Sequence, residues 1–270
     1  MRLESSPLMY SIISQDDAEQ LYAIYPDLPK SHLHGCPSCG KNHGDMVNGT
    51  VVLDGIEYEC NCQDQLQRHK HYLNAGIGLT YQVLDVKDFH GDQNALLSVA
   101  AYIQRYEEML EIGKGIFLYG EGYGTGKTML AYLALKWFVL NGKKCYATTY
   151  ADMLSSMKAG WKDEKYAKWY RAKVDSAQVL VLDDVGKELM SGSGFNNDFS
   201  RQTLDGLIRT RTQQSRPTII TTNMDKSQFV LTYGEQLHSL IKESMVTIHV
   251  TGEDYRNKAE TKPKGQRRIY

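Results

Sequence analysis

Lys127 and Thr128 stand directly behind the glycines Gly120, Gly122, Gly124 and Gly126. That spacing suits phosphate chemistry. Glycines let backbone N–H groups turn inward onto phosphate oxygens, and a helix opening behind them adds unpaired donors and the positive end of its dipole. The candidate nucleotide contacts are Gly122, Gly124, Thr125, Gly126, Lys127, Thr128 and Met129. Lys127 would reach the β- and γ-phosphates and Thr128 would ligate Mg²⁺, the roles of a phosphate-binding loop. The spacing departs from G-x-x-x-x-G-K-[ST] at one place, because Glu121 occupies the position of the first glycine. Either the loop is one residue longer and runs from Gly120, or it starts late at Gly122.

A phosphate cradle needs a metal ligand and a group facing the attacking water. The run Gln178 to Asp184, QVLVLDD, supplies both at the end of an apolar strand. Asp183 would hold Mg²⁺, and Asp184 would orient the water or accept its proton. Asn223 closes a further apolar strand, Thr218 to Thr222, and suits a sensor of the γ-phosphate. A second chemistry lies upstream. Cys36 and Cys39 form a C-x-x-C pair, and Cys60 and Cys62 a C-x-C pair, with an Asp54-Gly55 hairpin signal between them. Four thiolates on turns flanking a small ribbon suit a structural Zn²⁺ site. Cys145 stands apart and reads as core.

The elements that position these residues follow from periodicity. Ile116 to Tyr119 is a buried strand, and the helix from Lys127 to Leu140 is apolar on nearly every side. Strands at 145–148, 179–182, 218–222 and 245–250 alternate with helices at 151–159 and 197–213 and one helix before the last strand. That alternation predicts an α/β fold, a parallel sheet with helices packed against it. In the helix at 197–213, Leu204, Leu207 and Ile208 face inward and Arg201, Arg209 and Arg211 outward. One helix spans Ala95 to Leu110. Upstream, short helices are expected around Ala18–Tyr25 and over Gln63–Asn74, the second with a basic face at Arg68–His71. The segment GWKDEKYAKWYRAK interleaves Trp161, Tyr166, Trp169 and Tyr170 with lysines. It can stack on a single-stranded nucleic acid or pack onto the sheet. The tail from Asn257 to Tyr270 is basic and lacks apolar periodicity, so it is expected to be disordered.

Composition bounds the rest. The chain has 270 residues, 41% hydrophobic and 23% charged, with a net charge of −1. There is no global basic field, so any nucleic-acid contact must come from local patches. No apolar run is long enough for a membrane span, and the N-terminus lacks signal-peptide architecture. Clustered cysteines suit a reducing compartment, and a cytoplasmic protein is expected.

The order of motifs resembles a known group. A cysteine cluster is followed by YLNAGIGLTYQVLDVKDF, LYGEGYGTGKTMLAYLA, VLVLDDVGKE, PTIITTNMD and GEDYR, over roughly residues 33 to 256. This is similar to the bacterial replicative helicase loaders of the DnaC/DnaI type and their phage-encoded relatives, AAA+ ATPases close to the IstB-type transposition helpers. The resemblance implies a zinc-binding, helicase-docking domain over 1–75, a linker and helix over 76–113, an AAA+ domain over 114–256, and a basic tail over 257–270. It implies ATP, Mg²⁺ and Zn²⁺ as ligands. It implies a DnaB-like ring helicase and single-stranded DNA as partners, and self-association into an open ring or spiral. By the same resemblance, Lys127, Thr128, Asp183 and Asp184 form the ATP site, Asn223 is its sensor, and Arg256 is the late arginine facing the phosphates. Leu240 stands where relatives carry the arginine that reaches a neighbour's ATP, and Gly78 where they often have proline. Arg209 or Arg211 would then serve in trans. The alternatives are a transposition helper ATPase, or a nucleotide-binding adaptor with weak hydrolysis.

Overall fold

The computed structural model describes residue 39 and residues 49–53, 55–59, 68, 70–189 and 197–254. The described residues fall into two compact units, residues up to 83 with 139–142, and 84–138 with 143–254. The expected helix at Ala18–Tyr25, the ligand candidates Cys36, Cys60 and Cys62, Arg256 and the tail lie outside the described residues.

In the first unit the expected hairpin forms. Strand β1 (Thr50–Leu53) runs antiparallel to β2 (Ile56–Glu59), with Thr50 opposite Glu59 and Leu53 opposite Ile56. Residues 70–74 are helical. That helix stops where Gly76 N–H donates to Leu73 O at 2.9 Å and Ile77 N–H to Tyr72 O at 3.0 Å, with Gly76 at φ 69°. This double closure satisfies carbonyls that a helix end leaves open. A short helix α1 (Leu79–Val83) follows.

The second unit is built on five parallel strands: β3 (Gly115–Tyr119), β4 (Cys145–Thr149), β5 (Val179–Val185), β6 (Thr218–Thr222) and β7 (Met245–His249). Their spatial order is β4-β5-β6-β3-β7. The central three are buried along almost their whole length, as strands of a parallel sheet covered on both faces are. Helix α4 (Lys127–Leu140) has Leu130, Ala131, Ala134, Leu135 and Phe138 fully buried, as its all-round apolar sequence implies. Helices α5 (Tyr150–Gly160), α6 (Glu164–Tyr170) and α7 (Asn197–Gln213) complete the crossovers.

Two expected helices are each divided. In place of one helix over Ala95–Leu110, α2 (Gln93–Gln104) and α3 (Tyr106–Glu111) meet at Arg105, whose φ of −108° and ψ of 25° leave helical geometry. The chain restarts with the Tyr106 ring packed edge-on against Trp137 at 4.5 Å. The helix before the last strand is likewise two, α8 (Lys226–Tyr233) and α9 (Glu235–Ser244). Gly234 between them sits at φ 88°, a conformation that ends α8 and that glycine adopts without steric cost. Leu240 on α9 packs against the core formed by residues such as Phe117, Leu180 and Ile220.

The strand order decides where function can lie. With β5, β6 and β3 adjacent, the segments at their carboxyl ends converge: Asp183–Asp184 on β5, Asn223 after β6 and the glycine loop after β3. In open α/β sheets this rim is the usual ligand crevice.

Candidate nucleotide site

The loop between β3 and α4 shows why its glycines alternate. Gly120, Gly122, Gly124 and Gly126 have φ values of 148°, 90°, 69° and 97°. Each lies in the region disfavoured for residues with a Cβ. A Cβ on Gly126 would also meet the Phe89 ring at 2.6 Å, and one on Gly124 would meet the Asp254 carboxylate at 1.8 Å. Lys127 Nζ folds back to Gly120 O at 3.0 Å, Gly122 O at 2.8 Å and Thr125 Oγ1 at 2.9 Å. Lys127 thus ties both candidate starts of the loop, Gly120 and Gly122, to its own end. Glu121 is used: its Oε1 accepts from Gln228 Nε2 at 3.2 Å, tying the loop to α8. Gln228 is itself held in the capping box that Asp225 forms at the start of α8.

Burial pulls the Lys127 ammonium down to about 8, against the opposing pull of Asp184 and Asp183. Thr128 Oγ1 donates to Asp183 Oδ1 at 3.0 Å, and Thr221 Oγ1 donates to the same oxygen at 2.5 Å. Asp183 is only 6% exposed, and its burial raises the carboxyl above the usual range, with neighbouring Asp184 pushing the same way. A buried carboxylate bonded to hydroxyls, beside a threonine at a helix start, is an all-oxygen donor set of the type Mg²⁺ takes. Thr128 and Asp183 fit that ion, which would supply charge neutralisation next to a phosphate.

Asp184 owes its direction to backbone distortion. The β5–β6 register shifts between Leu182 and Val185, and Asp184 adopts φ 58°. Such an irregularity re-aims a side chain away from the strand's alternation. Asp184 N–H donates to Thr221 Oγ1 at 2.9 Å, and Asn223 Nδ2 donates to Asp184 Oδ1 at 3.3 Å. Asn223 and Asp184, chosen from different motifs, are thus neighbours. Thr221 joins both acids, one through its hydroxyl proton and the other through its lone pair. Sequence reasoning passed over it, although two hydroxyls at the end of a buried apolar strand were a visible signal. Met129 is half-buried on the first turn of α4.

Arg211 contradicts its expected placement. It is 3% exposed. Its guanidinium donates to Thr218 Oγ1 at 2.9 Å and to the carbonyls of Ala177 at 3.1 Å, Pro217 at 3.2 Å, Gln178 at 3.3 Å and Val174 at 3.4 Å. Those carbonyls lie at the strand ends opposite the glycine loop. Arg211 is a brace inside its own domain, with every nitrogen of its guanidinium engaged there. The outward face of α7 belongs to Arg201 and Arg209, which pair with Asp198 at 2.9 Å and Asp205 at 2.7 Å.

The aromatic and basic segment divides between two roles. Tyr170 packs against the core. Trp161 is 67% exposed and Tyr166 48%, so their rings largely face solvent. Trp169 sets its edge on Tyr146 at 5.8 Å, and Lys158 lies 5.0 Å over the Phe199 ring. Among the described residues, no cluster of three or more His, Cys, Asp or Glu is placed to hold a metal, and no helix is long and apolar enough to cross a membrane. Cys39 is the one expected zinc ligand within the described residues.

The sequence profile of the family described as IstB-like ATP binding protein matches residues 85–263, well over half of the chain. The chain belongs to this family. It carries an AAA+ ATP-binding domain, with the five-stranded parallel sheet described above. It is 21% identical over 165 residues to the replicative helicase loader DnaC of Buchnera aphidicola subsp. Baizongia pistaciae, covering 60% of this chain and 65% of that relative. Against the replicative helicase loader DnaC of Escherichia coli strain K12 it is 23% identical over 148 residues, 54% of this chain and 56% of that relative. The chain thus spans less than two thirds of the length of these relatives. Among solved structures, the crystal structure of the DnaC helicase loader matches with a TM-score of 0.54 and 26% identity, over 64% of this chain and 99% of that one. The replication initiator DnaA bound to AMPPCP and single-stranded DNA matches with a TM-score of 0.50 and 20% identity, over 63% of this chain and 50% of that one, a likeness of fold.

Proposed function

We propose that this protein is an ATP-dependent loader that helps place a ring-shaped, DnaB-like replicative helicase on single-stranded DNA. The observation that carries the reading is the convergence of Lys127, Thr128, Asp183, Asp184 and Asn223 on one rim, in a family whose relatives are named replicative helicase loaders. Lys127 binds the β- and γ-phosphates, Thr128 and Asp183 hold Mg²⁺, Asp184 faces the attacking water and Asn223 fixes Asp184. Gly122, Gly124, Thr125, Gly126 and Met129 line the nucleotide, and Arg256 reaches it from the chain's last motif. Hydrolysis then switches the grip on helicase and DNA. The exposed rings of Trp161 and Tyr166, set among lysines, support a strand-stacking surface at the α5–α6 turn and on α6, because every base offers a face to an aromatic ring. The spacing of Cys36, Cys39, Cys60 and Cys62 around the β1–β2 hairpin supports a Zn²⁺-stapled N-terminal domain that docks the helicase.

The test is capture of the replicative ring helicase by the full chain, with ATP and with ADP. Nucleotide-dependent recovery of the helicase is the expected result, and no recovery with either nucleotide would overturn the reading. A second reading, a transposition helper, is favoured by the description of the matched family itself. Recovery of a transposase in the same experiment would select it.

A further inference from the structure

The turn after β5 carries a cation that the roles above leave unused. Lys187 opens the short 3₁₀ turn Lys187–Leu189. Its Nζ lies 2.6 Å from Asp184 Oδ2 and 5.7 Å from the centre of the Tyr123 ring, which stands on the glycine loop. It is close enough to the site for its charge to weigh on Lys127 and Asp183. The side chain is 41% exposed, so its four-carbon stem can change rotamer. The backbone beneath it is clamped. Glu188, fully buried, accepts from Gly186 N–H at 2.7 Å, from Ser200 Oγ at 2.6 Å and from the Tyr233 hydroxyl. The result is a swinging ammonium on a fixed pivot, between the second acid and the phosphate loop.

The ion pair has a consequence for Asp184. Its Oδ2 is occupied by the ammonium at 2.6 Å, so that oxygen is not open to a water. A terminal phosphate seated at Lys127 presents a competing, more highly charged anion to the same ammonium. With Leu240 packed against the core and Arg211 turned into the interior, Lys187 is, among the described residues, a further cation besides Lys127 placed beside the site to answer it.

We propose that Lys187 is a cation supplied in cis to the terminal phosphate of a bound nucleoside triphosphate, and that its transfer from Asp184 to that phosphate frees Asp184 to face the attacking water. This inference rests on the ATP-site reading above. It predicts that Lys187 distinguishes triphosphate from diphosphate, which a merely structural lysine does not.

The experiment titrates the full chain with fluorescent mant-ATP and mant-ADP, comparing wild type, Lys187→Met and Lys187→Arg. In Lys187→Met, mant-ATP affinity should fall about tenfold, the order of one charge-assisted hydrogen bond, while mant-ADP affinity stays within about twofold. Lys187→Arg should keep the preference for the triphosphate. Equal losses for both nucleotides, or no loss for either, would overturn the role of Lys187 while leaving the ATP site standing. Wild-type protein that binds neither nucleotide would overturn both.

Discussion

Replacing Arg211 with alanine should unfold the protein at lower temperature before it alters any contact between subunits. The guanidinium bonds Thr218 Oγ1 and four carbonyls, those of Val174, Ala177, Gln178 and Pro217. Alanine leaves these acceptors without their donor in a space that Arg211 now fills at 3% exposure. Pro217 O keeps a second partner, Leu180 N–H at 3.2 Å. A buried acceptor left unpaired costs about 1–3 kcal/mol, so the other four set a gross loss of about 4–12 kcal/mol. Two effects reduce it. Water can enter the vacated volume, and the variant no longer buries a charge whose desolvation already lowers the Arg211 pKa to about 10. A net loss of about 3 kcal/mol corresponds to a fall of about 6–12 °C in Tm for a domain of this size. The assay is a thermal melt followed by circular dichroism, run beside ATP hydrolysis at low and high protein concentration. A Tm unchanged within about 2 °C, with hydrolysis lost only at the concentration where subunits associate, would refute the brace and restore Arg211 as an arginine reaching a neighbour.

Other expectations follow from the same geometry. Lys127→Ala should abolish measurable ATP binding in an equilibrium titration, and unchanged affinity would remove the phosphate loop from the site. Because burial holds the Lys127 pKa at about 8, ATP affinity should decline as pH rises through about 8. Binding above that pH should then take up a proton, seen as buffer-dependent heat in calorimetry; heats independent of buffer at pH 9 would contradict this. The sign for stability is opposite. The unfolded lysine titrates near 10.5, so between about 8 and 10.5 the unfolded chain binds the extra proton, and this residue's contribution to stability improves with rising pH. Glu188→Ala removes the acceptor shared by Gly186, Ser200 and Tyr233 and should cost about 2–4 kcal/mol in urea unfolding, with Glu188→Gln recovering part of it. Equal stability of Glu188→Ala and wild type would show that the clamp does not hold.

Much of the site was legible because its signals are local. Glycine alternation before Lys127–Thr128 reports backbone that must turn where a Cβ cannot follow. An apolar run ending in Asp183–Asp184 reports a buried strand that surfaces at a ligand rim. The hairpin from Thr50 to Glu59 and the helix at 197–213 were readable for the same reason, since turn chemistry and 3.6-residue periodicity act over a few residues. The division at Arg105 was less legible, because apolar spacing continues across it and only packing shows where the helix axis changes, whereas at Gly234 the glycine itself was a local signal.

The sequence by itself determined the α/β class and the order of its strands and helices, and it marked the glycine loop, the paired acids and Asn223 as candidates, because each is encoded in residue types at short spacing. Only the tertiary structure decided which polar residues serve which partner. The strand order β4-β5-β6-β3-β7 brings Thr221 between Asp183 and Asp184. The same packing turns Arg211 inward and stands Lys187 between Asp184 and Tyr123. An arginine on a helix has the same sequence signature whether carbonyls or solvent surround it. Its environment is made by β5, β6 and the chain before them, segments up to about forty residues away that meet only when the sheet assembles.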